Sequence, residues 1–185
     1  MQGDSVHPRM AELVTYLARS RESLLASVEG RTDEELARRP ESDRWSPLEI
    51  LEHLSVVERG LAARLASSVE QARAFGPDHS TDSVLHSLDA FSLTTATRRF
   101  QAPPRLNPRG GLTLVGAVAA LRDSRARLLG AVEALDGLAI EGITFAHPAL
   151  GEFNLYQWIL FVGQHEERHT KQIRRALEPA PVTPP

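Results

Sequence analysis

The chain has 185 residues, a formal net charge of −3 and no cysteine. The absence of cysteine excludes disulfides, cysteine nucleophiles and zinc–sulfur sites, and the negative net charge argues against a nucleic-acid-binding protein. Since 42% of the residues are hydrophobic and 24% are charged, we expect a cytoplasmic protein without a membrane span, made of one domain over residues 1–178. A disordered proline-rich tail is expected over residues 179–185.

Two helices are predicted over the first 40 residues. Apolar residues recur over residues 5–29 at three-, four- and seven-residue steps, which predicts a long amphipathic helix. A short helix follows, started by the capping box of Thr32 and Glu35 and stopped by Pro40.

The second long helix has the clearest start signal in the sequence. Ser46 is a good N-cap, Pro47 suits the first helical position, and Glu49 completes a second capping box. Its apolar stripe predicts one continuous helix as far as Ala74.

Two more long helices are predicted in the second half of the chain. The third covers residues 112–136 and ends at Gly137. The fourth covers residues 155–177, with Asn154 as its N-cap and Gln157 as the capping partner.

The connection between the second and third long helices constrains the topology. Residues 75–111 form a linker far longer than a helix–helix turn, and a short helix is expected within it over residues 83–91. A linker of this length lets the two helices run parallel. No segment carries a strong strand signal, so the sequence predicts an all-α, up-down-down-up four-helix bundle with a long crossover.

Three histidines are candidates for a metal site. His165 and His169 lie four residues apart on the apolar face of the fourth helix, so both imidazoles point into the bundle from adjacent turns. His53 lies two turns into the second long helix, at a similar depth if the two helices are antiparallel. Three imidazoles with an open fourth position are typical of catalytic zinc, and nickel also suits this donor set.

Five further residues are candidates for the surroundings of that site. Glu58, Arg125 and Glu166 are charged residues within apolar stripes. They are interpreted either as a structural ion pair or as groups that orient the histidines or bind an anionic substrate group. Trp45 and Trp158 are interpreted as core or pocket wall.

The other four histidines lie outside the long helical stripes. His7, His79 and His86 are interpreted as solvated or structural residues. His147 precedes a proline in a loop, and we expect this loop to contribute to the pocket wall beside the site.

Three stretches of sequence resemble a known family. They are WSPLEILEHL from Trp45, the leucine–arginine step from Leu121 to Arg125, and HPALGEFNLYQWILFVGQHEERHTKQI from His147 to Ile173. Their order and content resemble the DinB-like superfamily, in particular its YfiT-type branch.

The resemblance implies a four-helix bundle that binds a divalent metal through His53, His165 and His169. It also implies a homodimer with a small-molecule substrate. Similar proteins are thiol S-transferases that use bacillithiol or mycothiol as a cosubstrate, while other members have no assigned activity. Neither the thiol nor the electrophile is determined by these residues.

Three functions are therefore compatible with the sequence. The first is a metal-dependent enzyme that transfers a low-molecular-weight thiol to an electrophile, and it agrees with a chain that has no cysteine of its own. The second is a metal-dependent hydrolase that activates water at the same position. The third is a non-catalytic metal-binding protein of a stress response.

Overall fold

The computed structural model of the protein describes residues 6–94 and 102–178. Its helices are α1 (Pro8–Ala26), α2 (Asp33–Ala37), α3 (Pro47–Ser67), α4 (Val69–Phe75), α5 (Leu114–Glu133) and α6 (Leu155–Leu177). Two short strands, β1 (Thr144–His147) and β2 (Gly151–Asn154), pair in an antiparallel hairpin just before α6. The tail over residues 179–185, expected to be disordered, lies outside the described residues. Within the described ranges, no helix is long and apolar enough to cross a membrane.

The four long helices α1, α3, α5 and α6 form a bundle whose buried apolar side chains fall into two clusters. The first cluster joins the beginnings of α1 and α6 to the ends of α3 and α5, as in the packing that includes Leu13 and Leu65. The second joins the ends of α1 and α6 to the beginnings of α3 and α5, and includes Leu24, Leu51 and Leu121. Helices α3 and α5 therefore run parallel to each other and antiparallel to α1 and α6, which confirms the predicted up-down-down-up bundle.

The local start signals of three helices are confirmed. In each case the N-cap side chain accepts a backbone hydrogen bond from the residue three positions on, whose own side chain accepts one in return. The pairs are Thr32 with Glu35, Ser46 with Glu49, and Asn154 with Gln157. The predicted bounds of α6 agree with the structure, whereas α1 and α5 are each a few residues shorter than predicted.

The prediction of one continuous helix as far as Ala74 is wrong, because the helix is interrupted at Ser68. The Ser68 hydroxyl donates to the carbonyl of Arg64 at 3.0 Å, and its backbone N–H donates to the carbonyl of Leu65. The backbone bond of Ser68 thus reaches three residues back instead of four, the tighter pattern common at helix ends. Helix α3 ends at Ser67, and the separate helix α4 begins at Val69.

The crossover does not contain the short helix expected over residues 83–91. Only a 3-10 turn over Asp89–Phe91 forms there. The carboxylate of Glu12 on α1 accepts hydrogen bonds from the Ser83 hydroxyl at 2.8 Å and from the Val84 N–H at 2.7 Å. These contacts attach the segment to α1 and satisfy the backbone donor of Val84.

The small hairpin was missed by the sequence prediction. Each strand has four residues, too few for alternation to stand out from a loop. Gly151 begins the second strand with a φ of +92°, a conformation that favours glycine. Phe153 from this strand is fully buried, and the N–H of Leu155 donates to the carbonyl of Ile143. The hairpin thus anchors the N-terminus of α6 to the bundle.

A buried layer of four charges separates the two apolar clusters. One residue comes from each long helix: Arg21, Glu58, Arg125 and Glu166. Arg21 contacts Glu166 at 2.6 Å and Glu58 at 2.8 Å, and Arg125 contacts both carboxylates as well. The hydroxyls of Ser20 and Ser124 donate to the same carboxylates. Two positive and two negative charges are therefore neutralised inside the bundle.

Removing one member of this layer should destabilise the protein strongly. Arg21→Ala leaves two buried carboxylates with one arginine, and breaking a buried ion pair in this way costs about 3–5 kcal/mol. We expect a loss of that size in the free energy of unfolding, measured by urea denaturation. Arg19→Ala, an exposed arginine on the same helix, is the control and should change stability little. Equal effects of the two substitutions would contradict a structural role for the layer.

Candidate metal centre

Three imidazoles converge between α3 and α6. His53 comes from the second turn of α3, and His165 and His169 come from consecutive turns of α6. One ring nitrogen from each of the three lies within 4.8 Å of the other two, and the Nε2 atoms of His165 and His169 are 3.0 Å apart. The antiparallel course of α3 and α6 brings the three residues to the same level, as their positions along the two helices predict.

The donor set fits a divalent metal ion of the zinc type. Tetrahedral ligands 2.0–2.1 Å from zinc lie about 3.4 Å from each other. The cluster nitrogens lie 3.0 Å apart in one pair and within 4.8 Å in the other two. His165 and His169 point Nε2 at each other at 3.0 Å, so in the metal-free protein one of the two must carry its proton there to donate to the other. A metal ion would satisfy both atoms together, so these three residues could hold one.

The orientation of His53 is determined by a backbone carbonyl. Its Nδ1 lies 2.8 Å from the carbonyl oxygen of Leu106, in the 3-10 turn over Pro104–Leu106. A carbonyl only accepts hydrogen bonds, so Nδ1 carries the proton and Nε2 keeps its lone pair for the cluster. Carbonyl partners of this kind are typical of metal-binding histidines.

Burial keeps the three imidazoles neutral. Desolvation lowers the pKa of His53, and it lowers that of His169 to about 3. The pKa of His165 lies well below 6.5, first because of desolvation and then because of the neighbouring His169. Neutral imidazole is the form that binds metals, so the cluster stays ready to bind at mildly acidic pH.

Aromatic side chains surround the cluster. The ring of Trp45 lies 4.7 Å from that of His53, and Phe161 stacks on His165 at 5.1 Å. His147 contacts Phe161 at 5.0 Å and Trp158 at 5.5 Å. Of the residues expected from the sequence to form the pocket wall, Trp45 therefore contacts the cluster, whereas His147 and Trp158 pack on Phe161, which stacks on His165. His165 is partly exposed, which leaves one side of the cluster accessible.

The charged residues predicted near the site do not contact the imidazoles directly. Glu58 and Glu166 pair with Arg21 and Arg125 in the layer described above, and none of these residues forms a hydrogen bond to a histidine in the described part of the chain. Of the two interpretations left open by the sequence, these contacts agree with the structural ion pair.

Comparison with known protein families shows which family this chain matches. Residues 16–173 match the family model described as the DinB superfamily. The chain belongs to the DinB superfamily. This match spans the helices that carry all three histidines and confirms the resemblance seen in the sequence.

Two further proteins are similar to this DinB-superfamily protein. The uncharacterized protein YuaE of Bacillus subtilis (strain 168) is 26% identical over 155 residues, which cover 82% of this chain and 88% of YuaE. The crystal structure of TT2238, a four-helix bundle protein, superposes with a TM-score of 0.57 at 24% identity, over 90% of this chain and 98% of that one. The similarity to TT2238 supports the fold alone.

Sequence reasoning missed one member of the charged layer and two groups near the histidine cluster in this DinB-superfamily protein. Arg21 could have been found, because it is a charged residue in the apolar stripe of α1, between Leu17 and Leu24. Arg168 lies between His165 and His169 on α6, and its charge helps to lower the pKa of both, after desolvation. The carbonyl of Leu106 had no sequence signal, since any residue supplies a carbonyl.

The metal-free protein should lose stability as the pH falls below about 6.5. The unfolded chain protonates its histidines near the ordinary pKa of 6.5, whereas folded His169 stays neutral down to about 3. The unfolded state then binds more protons, so each such histidine lowers the free energy of unfolding by about 1.4 kcal/mol per pH unit. Between about pH 6 and pH 5, we expect the free energy of unfolding of His169→Gln, measured in urea, to fall by about 1.4 kcal/mol less than that of the wild type.

His86→Gln is the matched control for this measurement. The His86 side chain is 85% exposed and lies away from the cluster, beside Asp89. Its variant should show the same pH dependence as the wild-type protein. If His169→Gln also followed the wild type, the neutral, buried state assigned to His169 would be wrong.

Proposed function

We propose that this protein is a metal-dependent enzyme that transfers a low-molecular-weight thiol to an electrophilic small molecule. The proposed metal ligands are His53, His165 and His169, with zinc as the favoured ion and nickel as the alternative. The observation that carries the proposal is the convergence of three neutral imidazoles within 4.8 Å, with His165 partly exposed. The YfiT-type resemblance of the sequence supports bacillithiol or mycothiol as the cosubstrate.

The charge of the ligand set supports an anionic partner at the open position. Three neutral imidazoles leave the full double charge of a divalent ion uncompensated, and the described residues place no carboxylate in the cluster. When bound, the ion supplies a Lewis acid that lowers the pKa of a coordinated thiol or water. The guanidinium of Arg168 adds a positive charge beside His165 and His169, which further favours an anionic group there.

The protein's own residues hold and enclose the reactants. The Leu106 carbonyl orients His53, while Trp45 and Phe161 flank the imidazoles and exclude water from two sides. Arg168 donates to the Leu93 carbonyl at 3.2 Å, which fixes the position of its guanidinium. We assign His147 and Trp158 to the wall that contacts the electrophile.

The sulfur must come from outside, because the chain has no cysteine. In the proposed reaction the thiol sulfur forms a bond to the electrophilic carbon, and the bond from that carbon to its leaving group breaks. The leaving group departs with the electron pair, and the thiol proton passes to solvent. No oxidant or reductant is required.

We also propose a homodimer, as the family resemblance implies. The outer face of α5 supports it, since Val115 is 80% exposed and Leu129 is 36% exposed on the same side of the helix. Light scattering on the purified protein should give twice the monomer mass. A monomer at micromolar concentration would contradict this assembly without affecting the metal site.

The metal site is tested by elemental analysis of protein purified without a histidine tag. We expect about one zinc or nickel ion per chain in the wild type and in the exposed-site control His86→Ala, and little metal in His53→Ala or His165→Ala. A well-folded His165→Ala variant that keeps its full metal content would contradict the ligand assignment.

Thiol transfer is tested with the metal-loaded protein, bacillithiol or mycothiol, and chlorodinitrobenzene as a chromogenic electrophile. We expect thioether formation that falls by more than about a hundredfold in His165→Ala, a larger loss than outer partners of a metal cause, and remains in His86→Ala. Turnover of ester or amide substrates without added thiol would support the hydrolase instead. Stoichiometric metal without either activity would favour a non-catalytic metal-binding protein.

A further inference from the structure

Two neighbouring side chains of α3 hold the same loop. His53 contacts the carbonyl of Leu106, and Glu52 accepts backbone hydrogen bonds from Arg109 at 3.1 Å and Gly110 at 2.9 Å. We propose that Glu52 is a positioning residue for the metal centre, because it holds this loop so that the Leu106 carbonyl stays against Nδ1 of His53. This inference rests on the proposed function and concerns the same site.

The two residues at which α3 holds this loop, Leu106 and Gly110, lie close together in the chain. Three residues separate Leu106 from Gly110, so movement at one point is transmitted to the other through a short segment of backbone. The turn itself is narrow, since the N–H of Leu106 donates to the carbonyl of Pro103 at 2.8 Å. Gly110 adopts a φ of +79°, a conformation that other residues rarely take, and its N–H donates to the Glu52 carboxylate.

The position of the Leu106 carbonyl decides which nitrogen of His53 carries the proton. With the carbonyl in place, the proton is on Nδ1 and the lone pair of Nε2 faces His165 and His169. Without it, the proton can reside on Nε2, which then cannot bind a metal. The Glu52 carboxylate therefore favours the metal-binding tautomer of His53 although it does not touch the imidazole.

The surroundings of Glu52 allow the idea to be tested by substitution. The side chain is half-buried and borders a groove of about 310 Å³ between α2 and the loop, so a shorter side chain leaves no sealed cavity. Asp33 is a matched control, because its carboxylate accepts a hydrogen bond from the N–H of Leu114 at the far end of the same connection. Asp33 thus holds backbone in the same way, but the residue that it holds, Leu114, lies eight residues after Leu106.

The experiment compares Glu52→Ala, Glu52→Gln and Asp33→Ala in two measurements on the full chain. The first is zinc affinity, by competition with a chromophoric chelator. We expect Glu52→Ala to weaken zinc binding about tenfold, the lower end of what partners outside the ligand shell contribute. Glu52→Gln, which keeps one acceptor oxygen, should lose less, and Asp33→Ala should bind within about twofold of the wild type.

The second measurement is the tautomer of His53 in the metal-free protein, read from long-range proton–nitrogen NMR spectra. We expect the Nδ1–H form in the wild type and in Asp33→Ala, and a mixture of the two forms in Glu52→Ala. A merely structural role of Glu52 would lower the melting temperature without changing the tautomer.

The outcomes separate this inference from the proposed function. Wild-type zinc affinity and an unchanged tautomer in Glu52→Ala would overturn the role of Glu52 while the metal site remained. A wild-type protein that binds no metal would overturn the proposed function, and the tautomer would still decide whether Glu52 positions His53. If Glu52→Ala does not fold, Glu52→Gln provides both measurements.

Discussion

The fold depends most on the need to neutralise four charges inside the bundle. The members of this layer are Arg21, Glu58, Arg125 and Glu166, one from each long helix. Buried charges are tolerated only when they are paired, so a shift of any helix along its axis would leave a charge without its partner. The layer therefore fixes the relative heights of all four helices. His53 lies five residues before one of these carboxylates, and His165 lies directly before another, so the same constraint sets the height of the imidazoles.

The candidate metal centre and the charged layer differ in how buried ionisable groups are accommodated. In the layer, charges are brought together and cancel. In the cluster, desolvation holds three imidazoles neutral, and the nearby guanidinium of Arg168 reinforces this neutrality. Neutral donors leave a bound cation with its charge uncompensated, which is the condition under which it acidifies a partner most strongly. The carboxylates of Glu58 and Glu166 are paired with arginines, so they do not compensate the charge of a cation held by the imidazoles.

Much of the fold could be predicted from the sequence because the relevant signals are local. Capping boxes started three helices at the correct residues, and the spacing of His165 and His169 placed both on one face. The failures have equally physical causes. At Ser68 the backbone N–H bonds to a carbonyl three residues back, and no residue type nearby indicates this break between α3 and α4. The four-residue strands of the hairpin are too short for alternation to be seen. The Leu106 carbonyl belongs to the backbone, so no residue type could have indicated it.

The separation of the apolar core into two clusters has a consequence for how related sequences can diverge. The charged layer stands between the clusters, and buried apolar residues of one cluster do not pack on those of the other. Substitutions on opposite sides of the layer are then expected to act independently, since distant sites without shared partners combine additively. One end of the bundle can be repacked over evolutionary time while the other keeps its side chains. The DinB-superfamily bundle described here can thus change its outer walls without rebuilding the level at which the histidines meet.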